Sequence, residues 1–219
     1  MFSVAQAVAW VRSAAAVIEE HAAALTKLDS AIGDGDHGTN MNRGFKAAVQ
    51  RLDGLEGDQD FGSVFKAVGM ALIGKVGGAS GPLYGSLFLG MGKELGDTGA
   101  GENQGENQVE DQRLAAALRA GYDSVVARGK AQLEDKTMLD AWHPALQALD
   151  AALADGKELG PALDEAAAAA EEGMKATIPM IARKGRASYL GERSRDHQDP
   201  GATSTQLLLK TLADVVNGR

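Results

Sequence analysis

No cysteine occurs among the 219 residues, which excludes a disulfide framework and any thiolate metal site. A basic excess is missing too: the formal charge is −8 and the isoelectric point near 5.0, so the chain lacks the positive face that a nucleic-acid surface needs. No long apolar run is present. The N-terminal stretch MFSVAQAVAWVRSAAAVIEEHAAAL has no basic leader and is interrupted by Arg12, Glu19 and Glu20, so it reads neither as a signal peptide nor as a membrane span. The expectation is a soluble cytoplasmic protein with no membrane and no nucleic-acid partner. Convincing runs of alternating strand residues are also absent.

What remains is helical periodicity. The 44% apolar content is ample for one core, and the whole chain, residues 1–219, reads as one domain. Val4, Val8, Val11, Ala15, Ile18 and Leu25 recur at three- to four-residue steps and mark one helix face. Further stripes follow at Met41–Leu52, Phe61–Val76, a glycine-broken segment near 80–95, Leu114–Val125, Leu139–Leu153, Leu163–Met174 continuing with a bend at Pro179, and 203–216. Glycines 85, 90 and 92 in the fourth suggest close helix packing. Eight Ala-rich helices with short links predict an all-α, antiparallel up-and-down bundle or barrel. Between the fourth and fifth, Gly101-Glu-Asn-Gln repeats at once as Gly105-Glu-Asn-Gln, a polar, low-complexity stretch expected to be a flexible surface loop.

Chemistry is concentrated at three glycine-rich junctions, each leading into a helix. The first, Asp29-Ser-Ala-Ile-Gly-Asp34-Gly-Asp36, packs three carboxylates into eight residues, with His37-Gly38-Thr39-Asn40 directly after. Like charges this close repel and need a cation, and Mg²⁺ takes carboxylate oxygens while sharing itself with phosphates. The second is Gly77-Gly-Ala79-Ser80-Gly-Pro82; the third runs from Gly185-Arg186 through Arg193 to Asp199-Pro200-Gly201-Ala-Thr-Ser204. Helix N-termini offer free N–H groups and a positive dipole end to phosphate. Taken singly, the second junction also reads as a turn with Ser80 as N-cap, and Asp199-Pro-Gly as a turn before an N-cap. Arg186, set among small residues, suits a phosphate fork, and it also reads as a surface charge.

Three familiar patterns fail. Gly33-Asp-Gly-Asp-His-Gly38 has the letters of a dinucleotide fingerprint, but a helix precedes it and two aspartates intrude. Gly69 to Lys75 resembles a P-loop, yet Val76 stands where Ser or Thr must hold the metal. An EF-hand begun at Asp34 would need Gly and Glu where Thr39 and Phe45 stand.

Together, GDGDHGTNM, GGASGPLYG and GRASYLGERSRDHQDPGATS closely resemble the nucleotide-binding L subunit of dihydroxyacetone kinase, from Asp29 to the last helix, and the chain length suits a free-standing subunit. The resemblance implies an eight-helix antiparallel barrel with ADP or ATP and two Mg²⁺ ions at one end. It implies Asp29, Asp34 and Asp36 as metal ligands. His37, Gly38, Thr39, Asn40, Ala79 and Ser80 match phosphate-lining positions, and Gly129 and Met138 match base-proximal ones. The last two stand outside the long motifs, and Met138 also fits an apolar core stripe with Trp142. Arg186, with a catalytic role in countering charge, and Asp199, Pro200 and Gly201 complete the set. The implied activity is phosphoryl transfer: a phosphohistidine on the M subunit of a phosphotransferase system phosphorylates ADP held here, and ATP then phosphorylates dihydroxyacetone on a K subunit. The GENQ repeat departs from the family pattern.

Three other readings stand beside this one. The chain could serve an ATP-dependent kinase of dihydroxyacetone or a related ketose. It could be a fatty-acid-kinase-like domain, although His37 stands where that family has Thr. It could act as a nucleotide-loaded adaptor on a transcription regulator, as some family members do.

Overall fold

The computed structural model describes residues 1–55, 59–96 and 108–219. Eight α-helices follow in order: α1 (Val4–Ile32), α2 (His37–Asp53), α3 (Phe61–Lys75), α4 (Ser80–Gly96), α5 (Asp111–Gly129), α6 (Leu139–Ala154), α7 (Leu159–Ala176) and α8 (Pro200–Val216). Each packs on its neighbours in sequence, and α8 returns to α1, so the helices close into an up-and-down ring. Most links are short, and consecutive helices run antiparallel around the ring. The C-termini of α1, α3, α5 and α7 and the N-termini of α2, α4, α6 and α8 therefore share one end, here called the near end.

All eight predicted stripes become helices. The seventh does not continue through a bend: α7 ends at Ala176 with Thr177 as its C-cap, two residues ahead of Pro179, whose ring removes a helical donor. Two features carried no periodic signal. Arg186–Ser194 forms a 3₁₀ segment broken at Gly191 (φ 55°), too short for a stripe. Phe2–Ser3 (β1) pairs antiparallel with Gln108–Val109 (β2), a two-residue ladder below the length at which alternation is visible. The GENQ repeat, apart from its last residue Gln108, falls outside the described residues.

Ends and faces have local causes. Ser3 caps α1 through a capping box with Gln6, Ser3 Oγ accepting from the Gln6 N–H at 3.1 Å. Asp60 starts α3 in the same way with Ser63. The expected close packing at the fourth stripe is present: a Cβ on Gly85 would sit 2.9 Å from the Gly69 carbonyl, and one on Gly90 2.7 Å from the Ala120 carbonyl. So α3, α4 and α5 touch nearly backbone to backbone. The α5–α6 contact is thinner.

The five phenylalanines and Trp10 pool into one cluster away from the near end. Phe2 stacks on Phe61 at 5.9 Å, Phe61 on Phe65 at 6.4 Å, Trp10 meets Phe88 at 5.5 Å, and Phe45 meets Phe88 edge-on at 6.3 Å. Trp10 Nε1 donates to the Leu208 carbonyl at 2.9 Å, tying α1 to α8 across the closure of the ring. Among the described residues, no helix is long and apolar enough to cross a membrane.

Candidate functional site

The near end opens into a cavity of about 410 Å³. Its walls come from all three glycine-rich junctions, from the thin α5–α6 seam and from the segment that follows α7. Where α3, α4 and α5 close up on glycine, α5 and α6 stand apart, and the cavity occupies that gap.

Asp29 lies in the last turn of α1, the negative end of the helix dipole, where a carboxylate is unfavourable. It is buried, and compensation comes from the start of α2: Oδ2 accepts from the N–H groups of Asp36 at 2.8 Å and His37 at 3.1 Å. The turn between them depends on glycine. Gly35 holds φ 72°, and a Cβ on Gly33 would lie 2.0 Å from Asp29 Oδ1. The result brings one oxygen from each of Asp29, Asp34 and Asp36 within 4.8 Å of one another. Asp36 is the N-cap residue of α2, yet its side chain makes no capping bond, so its carboxylate is left for another partner. Asp34 pairs with Arg186 Nε at 2.8 Å, both side chains well exposed. Convergent hard oxygens on the cavity wall match what Mg²⁺ takes, so these residues fit the expected ion.

His37 turns away from the acids. Its Nδ1 lies 3.1 Å from Ser80 Oγ and its Nε2 2.9 Å from Ser204 Oγ. Burial holds its pKa below the ordinary value, against the opposing pull of Asp29 and Asp36. Ser80 is the first residue of α4 and its hydroxyl engages His37, so it does not act as a simple N-cap. Asp199 caps α8 itself, Oδ2 accepting from the Ala202 N–H at 2.7 Å with Pro200 next in the helix. It is buried at the cavity wall: burial pushes its pKa up to about 7, the Ala202 N–H opposes this, the charge of Asp140 adds to it, and Lys136 opposes it.

The cavity brings together Asp29, Asp34, Asp36, His37, Ala79, Ser80, Gly129, Met138, Arg186, Asp199, Pro200 and Gly201. Met138 is at once buried in the core and part of the wall, so its two sequence readings coincide. Gly38, Thr39 and Asn40 lie outside the walls. Gly38 faces α1, where a Cβ would meet the Ala22 carbonyl at 1.9 Å. The Thr39 N–H donates to Thr26 Oγ1 at 3.2 Å, and Asn40 is buried beside Gly77 and accepts from Arg43.

Sequence reasoning passed over Lys136, Thr137, Lys184, Tyr84, Leu83, Val125 and Arg128, which also line the cavity. Lys136 is the most unusual. It is buried, adopts φ 63°, and donates from Nζ to the carbonyls of Thr177 at 2.8 Å, Met180 at 3.0 Å and Ile178 at 3.3 Å. It thus satisfies carbonyls of the C-cap residue Thr177 and of the turn that follows α7. Burial lowers its pKa, with Asp199 and Asp196 opposing. Its loop is fixed by Asp140, which accepts from Glu134 N–H at 2.6 Å and Thr137 N–H at 2.7 Å. A lysine between acids just ahead of an apolar helix, Asp135-Lys-Thr-Met-Leu-Asp140, is the signal that could have found it.

Comparison with known proteins identifies the setting. The model of the DAK2 domain matches residues 31–214. The chain belongs to the DAK2 domain family. Within it, this DAK2 chain is 42% identical to the ADP-binding subunit DhaL of the PEP-dependent dihydroxyacetone kinase of Escherichia coli, over 95% of both chains. It is 38% identical to the ADP-binding subunit DhaL of the PTS-dependent kinase of Lactococcus lactis, over 99% of this chain and 100% of that one. It is also 38% identical to a D-erythrulose kinase of Mycolicibacterium smegmatis, over 88% of this chain but 32% of that protein. Among solved structures it is similar to the C. freundii dihydroxyacetone kinase in complex with AMP-PNP and Mg²⁺, with a TM-score of 0.71 and 27% identity. That match covers 98% of this chain and 35% of the kinase chain. The kinship over nearly the full chain groups this DAK2 chain with DhaL-type kinase subunits, and its all-α fold agrees with the structural likeness.

Proposed function

We propose that this chain is the nucleotide-holding L subunit of a dihydroxyacetone kinase driven by a phosphotransferase system. It holds ADP with two Mg²⁺ ions, receives a phosphoryl group from a phosphohistidine on an M-type partner, and hands it to dihydroxyacetone on a K-type partner. The observation that carries this reading is the meeting of three converging carboxylates with the N-termini of α2, α4 and α8 on one cavity wall. The kinship to ADP-binding subunits over 95% or more of both chains supports the same reading. It carries with it a cytoplasmic location.

The chain supplies no nucleophile, and phosphoryl transfer asks chiefly for positioning and charge neutralisation. Asp29, Asp34 and Asp36 are the residues to hold Mg²⁺, Asp29 fixed by its two backbone donors and Asp36 free of any capping bond. Mg²⁺ when bound neutralises phosphate oxygens. Ser80 and the backbone at the starts of α4 and α8, with Ala79 and Gly201 among the contributors, present donors to the phosphates, whereas Gly38, Thr39 and Asn40 lie behind the wall, and the Asp36, His37 and Thr39 N–H groups are already bonded within the protein. Gly129, Met138, Leu83 and Val125 give an apolar wall for the base. Arg186, already 2.8 Å from Asp34, is placed to counter charge that develops on the transferred group.

Mass spectrometry of gently purified protein tests the first half of the reading: co-purifying ADP or ATP with Mg²⁺ is expected. Absence of nucleotide, together with no MgADP binding by titration calorimetry, overturns it. Reconstitution with K- and M-type partners tests the second half, and phosphorylation of dihydroxyacetone only in the presence of the phosphohistidine protein is expected. The similarity to a D-erythrulose kinase favours one alternative, direct use of free ATP for dihydroxyacetone or a related ketose. Ready exchange of bound nucleotide with free ATP during turnover would select it. An inactive reconstitution with intact nucleotide binding would select the adaptor role on a transcription regulator.

A further inference from the structure

Behind the carboxylate wall four side chains form one hydrogen-bonded chain. Tyr84 Oη lies 2.7 Å from Ser204 Oγ, Ser204 Oγ 2.9 Å from His37 Nε2, and His37 Nδ1 3.1 Å from Ser80 Oγ. Tyr84, Ser204 and His37 are buried; Ser80 stands at the cavity. Tyr84 and Ser80 are one helical turn apart on α4, so the chain leaves α4, crosses α8 and α2, and returns to α4. It laces together the three helix N-termini that face the acids.

Proton counting makes its two ends dependent on each other. A neutral imidazole has one N–H, so one nitrogen donates while the other accepts. With the proton on Nε2, Nδ1 takes the Ser80 proton, and Ser80 turns lone pairs to the cavity. With the proton on Nδ1, Ser80 accepts from His37 and keeps its own proton for a ligand oxygen. The phenol also lies 3.0 Å from Thr205 Oγ1, and Thr205 can donate to it. Donors can run one way, from Thr205 to Tyr84, Ser204, His37 and Ser80; the competing acceptors are the Gly201 carbonyl, 3.1 Å from Tyr84 Oη and from Ser204 Oγ, and the Pro200 carbonyl, 3.1 Å from Ser204 Oγ, each farther than the 2.7 Å and 2.9 Å contacts within the chain. Such a series strengthens cooperatively and ends best on an anion.

We propose that Tyr84 is a positioning residue for the nucleotide site: it heads a one-way donor chain through Ser204 and His37 that turns the Ser80 hydroxyl proton toward a phosphate oxygen. The inference rests on the proposed nucleotide reading for its ligand, though not for the chain itself.

Nitrogen NMR of the His37 ring tests the chain without ligand. The Nδ1–H tautomer is expected, with ring signals that move in Tyr84→Phe and again in Ser204→Ala. An Nε2–H tautomer, or ring signals indifferent to both variants, overturns the inference. With nucleotide, Tyr84→Phe should raise the MgADP dissociation constant roughly three- to ten-fold, the scale of one hydrogen bond. Ser80→Ala should remove that effect in a double-mutant cycle; effects that simply add would sink the link to Ser80. Wild-type protein that binds no MgADP fails the proposed function instead, and the ring signals of the free protein then decide the chain alone.

Discussion

The two halves of the ring use the same eight helices for opposite ends. Away from the site, all five phenylalanines and Trp10 pack on one another, and the tiny β1–β2 ladder covers Phe2. Most of the buried polar and charged groups gather at the near end, beside apolar wall residues such as Val125 and Met138: Asp29, His37, Asn40, Asp135, Lys136, Asp140, Thr177, Asp199, Ser204 and Thr205. Apolar burial is non-directional and stabilises wherever area is lost. Buried polar groups stabilise only when every donor and acceptor is met, and otherwise cost. Stability and function are thus separated along the barrel axis, and variants can test that separation.

The largest effect is expected far from the site. Trp10→Ala removes a fully buried indole that contacts Phe65 and Phe88 and bonds to Leu208. It should cost about 4 kcal/mol in urea unfolding and leave the MgADP affinity of the folded fraction unchanged. Equal damage to binding would show that the two halves are coupled.

Next comes the pH response of the near end. The buried Asp199 titrates near 7 in the folded chain but near the ordinary carboxylate value when unfolded. Folding therefore retains a proton between about pH 4 and 7. Its contribution is full below the unfolded value and is lost as pH rises through the folded one, by up to about 4 kcal/mol. Asp199→Asn keeps an acceptor for the Ala202 N–H and should flatten the stability profile between about pH 4 and 7. Parallel profiles for wild type and variant would contradict this.

Asp34→Asn and Asp36→Asn should each weaken Mg²⁺-dependent ADP binding on the order of 100-fold, the scale of losing a charged partner, while circular dichroism shows unchanged helix. Full affinity in both variants would refute the metal-ligand role. Arg186→Gln gives the smallest change in stability. Its ion pair with Asp34 is exposed, so thermal unfolding should move by less than about 1 kcal/mol. MgADP affinity is expected to fall by about three- to ten-fold.

Asp29, Asp34 and Asp36 were readable because like charges within eight residues have no cheap structural excuse. Met138 read two ways because a cavity wall and a core face share the same helical stripe. Lys136 was hidden: as a lone lysine in a loop it looks solvated, and only the carbonyls of the turn after α7 explain its burial. Tyr84 and Ser204 lay inside the quoted motifs, yet 120 residues separate them, so their contact has no sequence trace. The broken bend at Pro179 and the 3₁₀ segment at Arg186–Ser194 show that periodicity marks long helices and is silent on short, irregular chain.

By itself the sequence determined the helical class, the number and order of the helices and the acid-rich junction. Those depend on local periodicity, glycine placement and charge crowding, all written along a few consecutive residues. Tertiary structure alone decided that alternate helix N-termini converge, that α5 and α6 part to leave a cavity, and that His37 faces Ser80 and Ser204 rather than the acids. Such relations join residues far apart in the chain, and only the closing of α8 onto α1 brings them within reach.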